Sequence, residues 1–319
     1  MQTEGTRMRF SQVFSQGWKI YTGSATATLP ASLLCTALPS VLTTSIAYFA
    51  AMSLFRPAFE ALREMLQALF IAGPGTRAME EALERAGEFL RGFPADGVPS
   101  LLVGMLGMIL VLVPLTLLFG IVLAPIGQGA IAEAQSRMWH GVRIPAKRAL
   151  AAAGRRAGRL IVLFLCGTAV SLVASLVVNV TLSVLTMLPG VGGAFLVLLY
   201  LVQLALSLAI GACMSLAVLV GMNEDKWHFV ALYEAAKRLF RDGNFALLYL
   251  CYFGIALGVE LIVLLMDLYM ALLLFFPPVL TGICAAFLQP FATALLTAAY
   301  YADRKRQGYA PACGLNDQK

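Results

Sequence analysis

Between Arg159 and Glu224 the chain runs for 64 residues without one Asp, Glu, Lys or Arg. About 20 residues at 1.5 Å rise cross the hydrocarbon layer of a bilayer. The gap therefore holds two crossings, joined by the turn Met187-Leu188-Pro189-Gly190-Val191-Gly192-Gly193. A comparable pair flanks it on each side, so the spacing predicts spans near 25–50, 98–123, 160–186, 193–221, 245–270 and 275–300. Hydrophobic residues make up 60% of the chain and charged residues 13%, against about 25% charged in soluble domains. In water such a chain would expose more apolar surface than a monomer tolerates.

All 23 Lys and Arg fall outside these spans. Eighteen lie in the N-terminus, 133–159, 222–243 and the C-terminus, and the other five in 56–97 beside seven acidic residues. The positive-inside rule then places both termini in the cytoplasm. The net charge of +6 is thus a topology signal, and no nucleic-acid motif accompanies it. Residues 1–24 are polar and lead into a full-length apolar run, so no cleavable leader is expected.

Residues 1–319 read as one all-α integral membrane domain: a polytopic bundle of six transmembrane helices in three pseudo-repeats, about 8–132, 144–221 and 229–303. Each unit opens with an amphipathic stretch before its first span. The first opener, Phe10 to Tyr21, and the third, Phe229 to Phe240, align with Phe14 on Tyr233, Lys19 on Arg238 and Tyr21 on Phe240. The middle opener, Ala146 to Arg156, keeps basic residues and lacks aromatics. Each opener is expected to lie flat on the cytoplasmic surface and turn into its span, with aromatics at the acyl boundary. Lys19, Lys147, Arg148, Arg155, Arg156, Lys237 and Arg238 are then the candidate contacts to anionic inner-leaflet headgroups.

The segment 56–97 stands apart as an extracytoplasmic helical pair broken at Gly73-Pro74-Gly75. Leu62, Met65, Leu66, Leu69 and Phe70 share one helical face, which caps the bundle or, within 57–92, offers a protein-partner surface. No HExxH, GxSxG or Walker A motif is present, and the six cysteines and two histidines lack metal-ligand or disulfide spacing. No catalysis, cofactor or metal is expected. The intramembrane polar residues form the remaining candidate site: Glu260 and Asp267, seven apart on one face, with Asn179, Gln203 and Gln289 as partners. Such carboxyls either tie helices together or form a cation or proton path. Pro114, Pro125, Pro277, Pro278 and Pro290 break backbone hydrogen bonds and could kink or unwind helices as at transporter binding sites, although such kinks are ordinary in membrane helices. Gly104/Gly107/Gly120, Gly127/Gly129 and Gly254/Gly258 suit close helix packing.

The opener Phe10-Ser-Gln-Val-Phe14-Ser-Gln-Gly17-Trp18-Lys19-Ile20-Tyr21, followed by an apolar run with Pro30 and Pro39, resembles the start of proteins grouped with the glycerophosphoryl diester phosphodiesterase membrane domain. The ending Gln289-Pro290-Phe291 through Tyr300-Tyr301-Ala-Asp303-Arg304-Lys305-Arg306 resembles theirs too. The resemblance covers essentially the whole chain and implies six spans. In fusion members, it implies, a soluble barrel carries the phosphodiesterase chemistry. These 319 residues hold no such barrel. The expectation is therefore a non-catalytic integral protein of the bacterial inner membrane, a scaffold or lipid-interacting module working with a partner; the alternative is a transporter of a small solute, ion or lipid.

Overall fold

The computed structural model describes residues 10–67, 77, 80, 81, 84, 98–186, 193–241, 243–273 and 276–306. The described chain is helical except for short links at 140–145, 225–227 and 276–279 and a turn at Arg156. Its helices are α1 (Phe10–Ser32), α2 (Leu38–Gln67), α3 (Val98–Leu118), α4 (Ala124–Trp139), α5 (Ala146–Arg155), α6 (Ala157–Thr186), α7 (Gly193–Glu224), α8 (His228–Arg241), α9 (Gly243–Leu273) and α10 (Leu280–Arg306). π-Helical turns at Leu33–Ala37 and Phe119–Leu123 join α1 to α2 and α3 to α4 without a break.

Among the described residues, five stretches are long and apolar enough to cross a bilayer: Phe10–Ser53, Met105–Trp139, Ala157–Thr181, Leu250–Ala271 and Leu280–Lys305. The expected fourth span corresponds to α7, whose described apolar part is Ala209–Glu224. Large apolar side chains lie on the outside of the helices as well as in the core. Leu172 and Leu176 on α6 are 64% and 60% exposed, whereas Gln135 is wholly buried. That pattern is the one a lipid solvent selects.

The chain packs as two compact units. One comprises 1–35, 121–256 and 287–319; the other comprises 36–120 and 257–286. The core of the first combines large residues such as Leu160, Leu163, Leu216 and Leu295 with small ones on five helices: Ala27 and Ala31 of α1, Ala130 and Ala134 of α4, Ala149 and Ala153 of α5, Ala231 and Ala235 of α8, and Ala294 and Ala298 of α10. Small side chains let backbones approach and gain dispersion contacts where hydrophobic burial offers little. A Cβ at Gly127 would sit 2.5 Å from Cys35 Cβ, and one at Gly129 would sit 2.6 Å from Leu160 Cδ1. Gly107, Gly120, Gly254 and Gly258 face open space instead. The expectation of tight packing therefore holds for Gly127 and Gly129 and fails for these four, because glycine spacing alone carries no information about which helix face meets a neighbour.

In the second unit, Tyr48 Oη donates to the Ala271 carbonyl at 2.8 Å, tying α2 to α9. Gly282 of α10 lies against Ser40, whose Oγ would be 2.7 Å from an added Cβ. The expected boundary near Arg56 is missing: α2 continues through Pro57 to Gln67. The rest of 56–97, apart from the isolated positions named above, lies outside the described residues, as does the turn 187–192.

The first opener departs from expectation as well. It is one uninterrupted helix with its span, from Phe10 to Ser32, with no turn between surface and span. Val13, Gly17, Ile20, Ser24, Ala27, Thr28 and Ala31 make a single buried stripe along it, so the packing face never changes. Its aromatics gather on Phe291 of α10. Ring centroids of Phe14, Trp18 and Tyr21 lie 6.3, 5.9 and 5.5 Å away, all near edge-to-face. The second and third openers, α5 and α8, are separate helices that end before α6 and α9 begin.

Candidate functional site

The polar residues of the first unit converge where α4, α7 and α10 end. Glu224, the last residue of α7, has a half-buried carboxylate with three partners. Arg238 Nη2 of α8 and Tyr300 Oη of α10 donate to its Oε1 at 2.7 and 2.8 Å. Lys226 Nζ lies 3.3 Å from its Oε2. The Arg238 guanidinium also sits over the Tyr300 ring at 5.1 Å, with Arg304 at 5.8 Å. Next to it, Asn223 donates to Ser136 Oγ at 3.0 Å and accepts from Tyr301 Oη at 2.8 Å. Tyr301 stacks on Trp139 with ring planes 8° apart.

One turn deeper, wholly buried Gln135 donates to the Pro290 carbonyl at 2.6 Å and accepts from Thr297 Oγ1 at 3.3 Å. Ser24, Thr28, Thr293 and Thr297 bond carbonyls of their own helices, the usual fate of hydroxyls in apolar surroundings. Burial of polar groups is offset by pairing, and in this unit Arg238 Nη1 and Gln128 Oε1 are the buried side-chain atoms without a hydrogen-bond partner among the described residues. The cluster therefore ties three helix ends together.

Short links set the outer rim. Asp225 and His228 adopt φ of +53° and +60°, the left-handed region that costs a non-glycine residue energy. Asp225 is held there by the Trp227 indole N–H and by Arg159, both at 2.7 Å. Trp227's hydrogen bond and the Arg159 and Arg156 charges keep the Asp225 carboxyl below the usual carboxylate range. Burial and the nearby Arg304 lower the His140 imidazole, which favours its neutral form.

The headgroup candidates divide in two. Lys19, Lys147, Arg148, Arg155 and Lys237 are exposed. Arg156 turns inward to the Met222 carbonyl at 2.7 Å, and Arg238 to Glu224. Helix α8 buries Ala231, Ala235 and Leu239 and exposes Phe229 (61%), Tyr233 (66%) and Phe240 (78%) on the opposite arc, with Lys237 and Arg241 alongside. Helix α5 buries Ala149 and Ala153 and exposes Lys147, Arg148, Ala151, Gly154 and Arg155.

The intramembrane candidates fall in different places. Asp267, only 2% exposed, belongs to the second unit and accepts from Leu280 N (3.0 Å), Thr281 N (2.8 Å) and Thr281 Oγ1 (2.6 Å). It caps the N-terminus of α10, whose first amides have no partner within the helix. In the first unit, Gln289 receives a long contact from Ser32 Oγ at 3.5 Å, Gln203 is half-buried on α7 and Asn179 is exposed on α6. Glu260 lies on α9, but its side chain is outside the described residues.

Sequence reasoning missed Gln135, Ser136, Asn223, Glu224 and Tyr300 as a set. A signal existed: Trp139-His140 and Trp227-His228 recur, each followed within about ten residues by Lys-Arg, and Asn223-Glu224 precedes the second pair. No family model matches the chain, and no curated protein or solved structure is significantly similar to it.

Proposed function

We propose that this is a non-catalytic integral protein of the bacterial inner membrane, a lipid-interacting scaffold related to the phosphodiesterase membrane-domain proteins it resembles. In this reading α7 supplies a sixth span and both termini lie in the cytoplasm. The three pseudo-repeats bring the ends of their second spans, α4, α7 and α10, into one cluster. The exposed arc of α8 carries the proposal. Phe229, Tyr233 and Phe240 stand on one side of a helix whose other side is packed alanine, with Lys237 and Arg241 beside them. Aromatics at the acyl boundary with flanking cations at headgroup level are the chemistry of an interfacial helix. The outer segment 57–92 is the proposed site for a protein partner.

The test is a nitroxide spin label at Tyr233→Cys or Phe240→Cys in a cysteine-free protein, reconstituted with anionic lipid. High accessibility to oxygen and low accessibility to a water-soluble nickel chelate at both sites is expected. Water-like values at both would overturn the lipid reading. The transport alternative has less to stand on, because three protein donors already occupy the Asp267 oxygens.

A further inference from the structure

We infer that the outward face of α5 is a binding site for a membrane lipid whose headgroup carries two phosphates; this rests on the lipid-interacting reading above and gives its second surface a specific ligand. The starting point is charge without a counterpart. Residues 141–155 contain Arg143, Lys147, Arg148 and Arg155 and no Asp or Glu. All four are exposed, and none forms an ion pair among the described residues. Their neighbours differ: Arg137 pairs with Glu133, Arg159 with Asp225, and Arg238 with Glu224. Three residues before Trp227-His228 stands Glu224, whereas three before Trp139-His140 stands Ser136. The α5 arginines thus lack the carboxylate that holds Arg238, and their mutual repulsion is relieved by an external anion.

The shape of the face selects the anion. At 100° per residue Lys147, Arg148 and Arg155 fall within about a quarter turn of the helix, with Ala151 and Gly154 between them. A Cβ added at Gly154 would meet nothing within 4 Å. The three cations therefore surround a floor with no side chain longer than a methyl group. Unlike α8, this face has no aromatic or long aliphatic residue to bury in acyl chains, so its affinity must come from the headgroup. Arg148 and Arg155 are seven positions apart, about 10 Å along the axis at 1.5 Å per residue. Each guanidinium can take a phosphate bidentately, and the flat floor admits the link between the two phosphates. A lipid with one phosphate satisfies only one of the two arginines.

The experiment is native mass spectrometry of the full-length protein. It is released from mixed micelles containing a two-phosphate lipid and phosphatidylglycerol at equal total phosphate, with matched acyl chains. The wild type is expected to retain the two-phosphate lipid at least fivefold over phosphatidylglycerol. In Arg148→Ala/Arg155→Ala that ratio should fall to between one and two; in Arg137→Ala, whose guanidinium already pairs with Glu133, it should not change. All three arginines are exposed, and size-exclusion elution verifies that the variants remain folded. A wild-type ratio near one, or a ratio unchanged in the Arg148/Arg155 variant, overturns the inference. So does a co-purifying acidic protein that this variant loses while its lipid ratio stays the same. The spin labels on α8 separate the failures: membrane-like values there with no lipid preference at α5 remove this inference alone, and water-like values remove the broader reading.

Discussion

Replacing Asp267 should unwind the start of α10. Its carboxylate accepts two backbone N–H groups and one hydroxyl in a site only 2% exposed. In Asp267→Ala the Thr281 hydroxyl can rotate toward a backbone carbonyl, so its loss is minor. The Leu280 and Thr281 amides have no such recourse. Hydrogen bonds to a charged acceptor contribute about 1.5–3 kcal/mol each, and losing a helix cap costs about 0.5–2 kcal/mol. The two amides share one carboxylate, so the combined loss is about 2–4 kcal/mol. At 1.4 kcal/mol per factor of ten, local opening should rise by roughly 30-fold to several hundred-fold. Hydrogen exchange in nanodiscs reads this at Ile283 N, which bonds the Val279 carbonyl at 3.2 Å within the same turn. Asp267→Asn keeps one acceptor oxygen and should fall between, near tenfold. Exchange within threefold of wild type in Asp267→Ala would refute the capping argument. Protection that rises with added Na⁺ or K⁺ in the wild type would return Asp267 to the ion-path reading.

Three further outcomes follow from packing and charge. Gly127→Ala, which forces a Cβ to within 2.5 Å of Cys35 Cβ, should destabilise the protein in detergent by about 1–3 kcal/mol, whereas Gly254→Ala and Gly258→Ala should be neutral or stabilising by up to about 1 kcal/mol, read by thermal unfolding. Gln135→Leu should cost about 0.6–2 kcal/mol, and Gln135→Glu more, because a charge would then face the Pro290 carbonyl. The stabilisation from Asp225 is present above the usual carboxylate pKa near 4 and is lost as pH falls through its lowered folded value. Trp227 fluorescence should therefore change only below about pH 4, and Asp225→Asn should abolish that transition.

What the sequence could show followed from where charge was absent. The gap from Arg159 to Glu224 located two long helices because lipid tolerates no unpaired charge. The helices at 146–155 and 228–241 were legible as separate helices because their apolar residues recur with helical period. Which face of α6 or α7 meets another helix was not legible, since both are apolar all round and carry no periodic signal. Gly127 and Gly254 look alike in the sequence, yet one lies against Cys35 and the other faces open space. Asp267 was visible as an intramembrane carboxyl, but its role depends on the chain returning at Leu280 to present bare amides. Glu224 looked like the mere end of an apolar run, because its main partners, Arg238 and Tyr300, lie 14 and 76 positions away.

Those separations also set an order of events during synthesis. A chain elongating from its N-terminus produces Glu224 before Arg238, and Tyr300 last of all. Ser136 and Gln135 exist earlier still, yet Gln135 has no Pro290 carbonyl or Thr297 hydroxyl to meet until the final helix has been inserted. The nascent protein therefore carries incompletely satisfied polar groups at the end of α4, and then at the end of α7, until the last helix is made. A ribosome-stalled chain ending before residue 300 leaves Glu224 with Arg238 and Lys226 but without its phenol. Arrival of α10 adds the remaining contacts together, those of Pro290 and Thr297 with Gln135, of Tyr300 with Glu224 and of Tyr301 with Asn223. That gives membrane quality control one distinct unfinished state to recognise.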